Sequence, residues 1–123
     1  MKRDLDLVRK LLIYFEEKPD PKVTQDLQIA GYDDLMVKYH LNLMYDARLL
    51  NCEAECSSTT PGRVIRVFPF DLTWEGHEFL SKVRNEGVWQ RIKSTITARG
   101  GSLAFSVVNE LATKFALAAV KDG

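Results

Sequence analysis

Residues 50–68 constrain the fold most, because their periodicity is that of strands within an otherwise helical chain. From Leu50 to Cys56, apolar and polar residues alternate, which is the pattern of a strand with one apolar face. The polar link 57–62 includes Pro61-Gly62 and is typical of a turn. Residues 63–68 are rich in β-branched side chains and predict the returning strand, which we expect Pro69 to close. The chain must therefore accommodate a β-hairpin.

Two helices are predicted before the hairpin. Residues 4–17 place apolar side chains at helical spacing, and Pro19 and Pro21 end that helix. The stretch 23–30 has no clear periodicity, and it is short for a helix. A turn at residues 31–34 then leads into a second helix that ends near Arg48. Its expected inward stripe is Leu35, Tyr39, Leu43 and Ala47.

Three further helices are predicted after the hairpin. Asp71 or Thr73 caps the first of them, and the others cover residues 88–98 and 103–121 on either side of Gly100-Gly101. The apolar side of the first is expected to consist of Trp74, His77, Phe79, Leu80 and Val83.

The order of these elements predicts an α+β fold. A hairpin after two helices, with a helix following, is the order of a winged helix in which the hairpin is the wing and the second helix takes the recognition position. We expect a single winged-helix domain over residues 1–123, with its core in 1–86 and a C-terminal helical extension in 87–123. Another small α+β domain with one hairpin has the same pattern.

Several motifs resemble a domain-of-unknown-function family of small phage and prophage proteins. They are the opening residues 1–10, Gly31-Tyr32-Asp33 with Tyr39-His40-Leu41, residues 72–80, Val88-Trp89, and Gly100-Gly101. The similar YjcQ-like proteins are winged helices, so the resemblance implies that fold and a mobile-element setting, without an activity or catalytic residues. Related chains tend to read Ala-Gly-Leu-Ile where this chain reads Ala47-Arg48-Leu49-Leu50, which puts the usual glycine ending of the helix in question.

Charge and hydropathy exclude several classes of protein. Seventeen basic and seventeen acidic residues give a formal net charge of zero, so no global basic field attracts nucleic acid or a membrane surface. The sequence has no apolar run of 18 residues and no secretory pattern at its start. We expect a protein of the bacterial host cytoplasm that has no membrane contact.

The residues that could support chemistry are few. A zinc site would need Cys52 and Cys56 together with His40 or His77, but two cysteines on one strand and two scattered histidines do not make two tight pairs. Glu75 and Glu78 lie near His77 without a nucleophile or an orienting partner. We therefore expect no catalysis, no cofactor, no metal and no small-molecule substrate.

The charge pattern also bears on DNA binding. The second helix carries three aspartates and one lysine, which disfavours close approach to a polyanion, so we expect DNA binding to be weak. We expect Arg66 to lie level with Glu53 on the partner strand, where the carboxylate would neutralise it in part. The candidate residues for binding a macromolecule are Lys38, Asn42, Tyr45, Arg48, Arg63 and Arg66.

The last helix has more apolar positions than one packing face requires, which predicts burial on two sides. Either it packs within the chain or it forms a subunit interface. The candidate residues for self-association are Leu103, Phe105, Val108, Leu111 and Phe115. The sequence therefore favours a non-enzymatic phage-type accessory protein that binds another protein or itself. The alternative is a DNA-binding transcriptional regulator of winged-helix type.

Overall fold

The structure of the protein, a computed structural model, describes residues 1–24 and 26–122. Their elements follow the order α1, α2, β1, β2, α3, α4, α5, so the predicted α+β class is confirmed, and the order is compatible with a winged-helix-like arrangement that carries extra C-terminal helices. The bounds are α1 Leu5–Glu17, α2 Asp34–Asp46, β1 Leu50–Cys56, β2 Val64–Leu72, α3 Trp74–Val83, α4 Glu86–Ala98 and α5 Phe105–Asp122.

The chain divides into two compact units, Met1–His77 and Glu78–Gly123. In the first unit, α1 and α2 pack on each other and on β2, and α2 also contacts β1. In the second unit, α4 and α5 pack together. A single domain over residues 1–123, with a core in 1–86, stays a prediction.

The core of the first unit is apolar except for His40, which is completely buried. Its largest contributions come from one face of α1 and one face of α2. The buried apolar side chains are Leu7, Val8, Leu11, Leu12, Phe15, Leu27, Val37, Leu41, Met44, Leu49, Leu50, Val67 and Leu72.

The connection between α1 and α2 has no helix in its described residues 18–24 and 26–33, as its irregular pattern predicts; Gln25 lies outside the described residues. The connection runs beside β2, where the Thr24 amide donates to the Pro69 carbonyl at 3.0 Å. The Lys18 ammonium donates to the carbonyl oxygens of Lys22 and, at 2.8 Å, of Phe70. These contacts attach the connection to the outer edge of the hairpin.

The expectation that Pro69 closes the second strand is wrong, because β2 continues to Leu72. β1 and β2 pair antiparallel, with Cys52 opposite Pro69 and Leu50 opposite Leu72. Proline lacks an amide donor, so a strand tolerates it where that donor would point away from the partner strand. The Pro69 carbonyl does point away, toward Thr24. The missing amide of Pro69 therefore costs the ladder with β1 no hydrogen bond.

Helix α2 ends with Arg48 in the left-handed region, at φ 61°. The Arg48 amide donates to the Tyr45 carbonyl at 3.0 Å, and the Leu49 amide donates to the Met44 carbonyl at 2.9 Å. This pair of bonds is the Schellman motif, which glycine normally completes. Arginine thus occupies the position that this motif usually fills with glycine.

We expect Arg48→Gly to raise the free energy of unfolding by up to about 1 kcal/mol, because it removes the Cβ strain of the left-handed conformation. Ala47→Gly is the matched control, since Ala47 has an ordinary φ of −79° and glycine should destabilise it. Urea unfolding followed by circular dichroism measures both. If both variants lose stability to the same extent, the strain does not exist.

Candidate interaction surface

The outward side of α2 differs from the prediction. We define the α2 outer face as Leu35, Tyr39, Asn42 and Asp46, which recur at helical spacing. The inward stripe predicted from Leu35, Tyr39, Leu43 and Ala47 is wrong, because Leu35 is 66% exposed and Ala47 is exposed. The buried residues of α2 are Val37, His40, Leu41 and Met44. One apolar and one aromatic side chain, Leu35 and Tyr39, therefore lie at the surface in the first half of the α2 outer face, followed by the polar Asn42 and Asp46.

Asp33 and Asp34 position the start of this face. The Asp33 carboxylate accepts from the Met36 amide at 2.8 Å and caps α2. Asp34 forms an ion pair with Lys38 at 2.9 Å, one turn along the helix. The single lysine of α2 is thus already paired, and the α2 outer face has one acidic and no basic side chain.

The six candidates for macromolecule binding lie in different places. Lys38 is exposed, Asn42 and Tyr45 are half-buried, and all three are on α2. Arg48 is exposed beyond the other end of α2, about 15 Å along the helix from Lys38 at 1.5 Å per residue. Arg63 is exposed at the base of the hairpin turn, where its carbonyl accepts from the Ser57 amide at 2.8 Å.

Arg66 and Lys38 are the two candidate cations that line one concave surface, between α2 and β2. Five of its nine lining residues are apolar, and Asp34 is also part of it. The complete lining is Thr24, Leu27, Asp34, Val37, Lys38, Leu41, Arg66, Val67 and Pro69. One paired lysine, one arginine and one carboxylate leave little net charge in this surface.

The prediction that Arg66 lies level with Glu53 is wrong. The register places Glu55 opposite Arg66, whereas Glu53 lies opposite Phe68. The turn is centred at residue 60, as the sequence predicts, but an irregularity between Glu55 and Cys56 adds one residue to β2 and shifts the register beyond it. The Arg66 guanidinium lies 4.7 Å from the centroid of the Phe68 ring, and it makes no ion pair with a described carboxylate.

The candidates for self-association have different exposures in the second unit. Val108 is fully buried and Phe115 is 8% exposed, whereas Leu103, Phe105 and Leu111 are half-buried. Phe105 contacts Phe79 with ring centroids 4.9 Å apart. The large apolar residues of α5 that are exposed are Val107, Leu117 and Val120, which were not among the candidates.

The two cysteines and the two histidines differ in how far they are buried. Burial raises the pKa of the Cys52 thiol to about 12, with the Asp71 carboxylate adding to the rise, whereas Cys56 is exposed. His77 is exposed, contrary to its predicted place on the apolar side of α3. Within residues 1–24 and 26–122, no group of three metal-binding side chains comes together.

Trp74 is another surface residue that the sequence interpretation placed on an apolar, inward side. It begins α3 and is 76% exposed, whereas Trp89 is 1% exposed. Trp74 directly follows Thr73, whose hydroxyl caps the start of α3 by accepting from the Gly76 amide. Exposed tryptophan is characteristic of protein interfaces.

None of the helices described has the length and apolarity of a membrane span.

Comparisons with known proteins agree on a family. The model of the family described as "Hypothetical protein (DUF2513)" matches residues 2–102. An uncharacterized protein of Haemophilus influenzae (strain ATCC 51907 / DSM 11121 / KW20 / Rd) is 32% identical over 114 residues, which cover 91% of this chain and 92% of that protein. No solved structure matches the chain. The region matched by the family model includes α1 to α4 and ends before α5.

Proposed function

The chain belongs to the DUF2513 family, and from that premise we propose that it is a non-enzymatic protein-recognition module of winged-helix type. It works as an accessory protein of a phage or prophage in the cytoplasm of the bacterial host. Its partner is another protein or a second copy of this chain. The surface that makes the contact is the α2 outer face.

One observation carries this proposal: the helix in the recognition position exposes Leu35 and half-exposes Tyr39 on the α2 outer face, none of whose four residues is a cation. Tyrosine is enriched at interfaces between proteins, and the exposed leucine one turn away adds apolar area that a partner could bury. DNA recognition instead needs donors to base edges and cations for phosphates. The connection before α2 also has no helix in its described residues, so the first helix of a helix-turn-helix is missing there.

Binding without catalysis agrees with the state of the reactive side chains. Both ring nitrogens of His40 are engaged by backbone groups, at 2.7 Å and 2.9 Å. The thiol of Cys52 is held protonated at neutral pH by its raised pKa. Neither residue is available as a base or a nucleophile.

Affinity capture from host lysate with the full chain as bait tests this proposal. We expect a stoichiometric protein that is retained after nuclease treatment. Leu35→Lys should reduce its recovery at least tenfold, because a charge would replace exposed apolar surface at the contact. Val120→Lys is the matched control, since Val120 is 76% exposed on α5 and the chemical change is the same. Equal recovery by the two variants, or a signal lost with nuclease, contradicts the proposal.

DNA binding is the second candidate, and one observation favours it. Arg48, Arg63 and Arg66 make no ion pair with a described carboxylate, so three guanidinium groups are available to phosphate. If DNA is the ligand, nuclease removes the captured material, and Arg63→Ala with Arg66→Ala reduces capture of duplex DNA while Leu35→Lys does not. The corrected register makes Glu55→Gln the variant that should strengthen such binding.

A further inference from the structure

The edge of β1 that faces away from β2 has backbone groups without a backbone partner among the described residues. The Pro69 carbonyl points away from β1, because it accepts from Thr24. In an antiparallel ladder the direction of the backbone groups alternates, so Pro69 and Cys52 form a non-hydrogen-bonded pair, and so do Val67 and Ala54. The amides and carbonyls of Cys52 and Ala54 therefore point outward from β1.

These outward groups have no backbone partner in residues 1–24 and 26–77. Across these residues, no backbone hydrogen bond outside the ladder involves Cys52 or Ala54. Such an edge is a template for one more strand. The ladder is regular only from Cys52 to Glu55, between irregularities at Asn51/Cys52 and Glu55/Cys56. The edge thus accepts a short segment rather than a long sheet.

The side chains of β1 specify which segment fits. Cys52 and Ala54 are small and half-buried on the face of the strand that continues from buried Leu50. Glu53 and Glu55 are exposed on the opposite face and make no ion pair with a described residue. A strand beside β1 would place apolar side chains next to Cys52 and Ala54, and basic side chains next to the two glutamates.

A second copy of β1 does not meet these requirements. Antiparallel pairing of two β1 edges would bring the glutamates of one copy beside those of the other, and like charges across strands are destabilising. The glutamates thus prevent pairing between copies while they favour a cationic strand.

From the open edge and this alternation, we infer that β1 binds an extended protein segment in which apolar residues alternate with Lys or Arg. The segment adds as a third strand and bonds to the backbone of Cys52 and Ala54. This inference rests on the proposed function, because it names a partner chemistry for a protein-recognition module. It uses a surface different from the α2 outer face.

A labelled, end-capped heptapeptide that alternates Val and Lys tests the edge by fluorescence anisotropy with the full chain. One control peptide has the same composition with all Val before all Lys, and a second alternates Val and Glu. We expect the alternating basic peptide to bind at least tenfold more tightly than either control. Equal binding of the alternating and block peptides overturns the inference, because charge alone would then explain it.

The variant Ala54→Pro removes one outward donor and leaves the bonds to β2 in place. Ala54→Pro should weaken the binding of the alternating peptide at least tenfold. Ala54→Val keeps the amide and should change the affinity less than twofold. Amide hydrogen exchange on the unmodified chain gives a second readout if Ala54→Pro does not fold. The peptide should slow exchange at Cys52 and Ala54 and leave the amides of Glu53 and Glu55 unchanged. No protection at Cys52 and Ala54 overturns the inference.

The two proposals fail separately. A lysate partner that depends on Leu35, together with no peptide binding at β1, contradicts the edge and leaves the proposed function in place. Peptide binding at β1 without a nuclease-resistant protein partner contradicts the α2 outer face as the recognition surface.

Discussion

Gly76→Ala should lower the free energy of unfolding by about 3 kcal/mol or more, because no space exists for a methyl group at this position. A Cβ there would overlap the Leu49 carbonyl oxygen and lie 3.2 Å from the carbonyl carbon. The same carbonyl accepts from the Thr73 amide at 3.1 Å, and the Thr73 hydroxyl caps the Gly76 amide at 3.0 Å. Moving α3 away would break the bonds that hold its start to the end of α2.

Gly87→Ala is the matched control for that substitution. Gly87 lies in the first turn of α4, and its Cβ would meet only the Asn85 side-chain oxygen, at 3.2 Å. Because alanine favours helix over glycine by about 1 kcal/mol, Gly87→Ala should leave stability unchanged or slightly raised. Urea midpoints from circular dichroism decide the matter. Equal stability of the two variants would show that α3 does not start against the Leu49 carbonyl.

His40→Ala should cost about 3 kcal/mol, because His40 is fully buried and both ring nitrogens are bonded. The Asp4 amide donates to Nε2 at 2.7 Å, and Nδ1 donates to the Met36 carbonyl at 2.9 Å, which defines the neutral tautomer protonated at Nδ1. Asp4 also caps α1, since its carboxylate accepts from the Asp6 amide at 2.9 Å. Removing the ring leaves a cavity and an unpaired donor at the start of α1.

His77→Ala is the control, because it removes the same side chain from an exposed position and so shows how much of the stability loss comes from burial. His77 is exposed on α3, so its removal should cost less than about 1 kcal/mol. His40→Gln, which keeps an acceptor and a donor, should fall between the two alanine variants. Thermal unfolding gives the ranking. A His40→Ala variant as stable as His77→Ala would contradict the bonded, buried ring.

The parts of the fold that the sequence predicts correctly are those where one local pattern is compatible with only one structure. The alternation at Leu50–Cys56 and the spacing of α1 have one clear reading each, and both elements form as expected. The α2 helix has apolar residues on two neighbouring stripes, so periodicity could not tell which of them packs inward. In the folded protein, α2 packs on the hairpin and buries Val37, Leu41 and Met44.

The candidate surface was harder to predict, because it depends on contacts between elements. The exposure of Leu35 follows from the choice of the other stripe as core. The neighbour of Arg66 depends on one added residue in β2, which no local pattern signals. The open edge at Ala54 requires the register and the bond from Thr24 to Pro69, both of which are non-local.

The central claim is that a protein, and not a nucleic acid, contacts the α2 outer face. Photo-crosslinking in host cells tests it directly, with the photoreactive amino acid benzoylphenylalanine at position 35 and, as a control on another exposed helix position, at position 94 in place of Ser94. We expect a discrete adduct from position 35 that protease removes and nuclease does not. A nuclease-sensitive adduct at position 35, or the same adduct pattern from both positions, would contradict the claim.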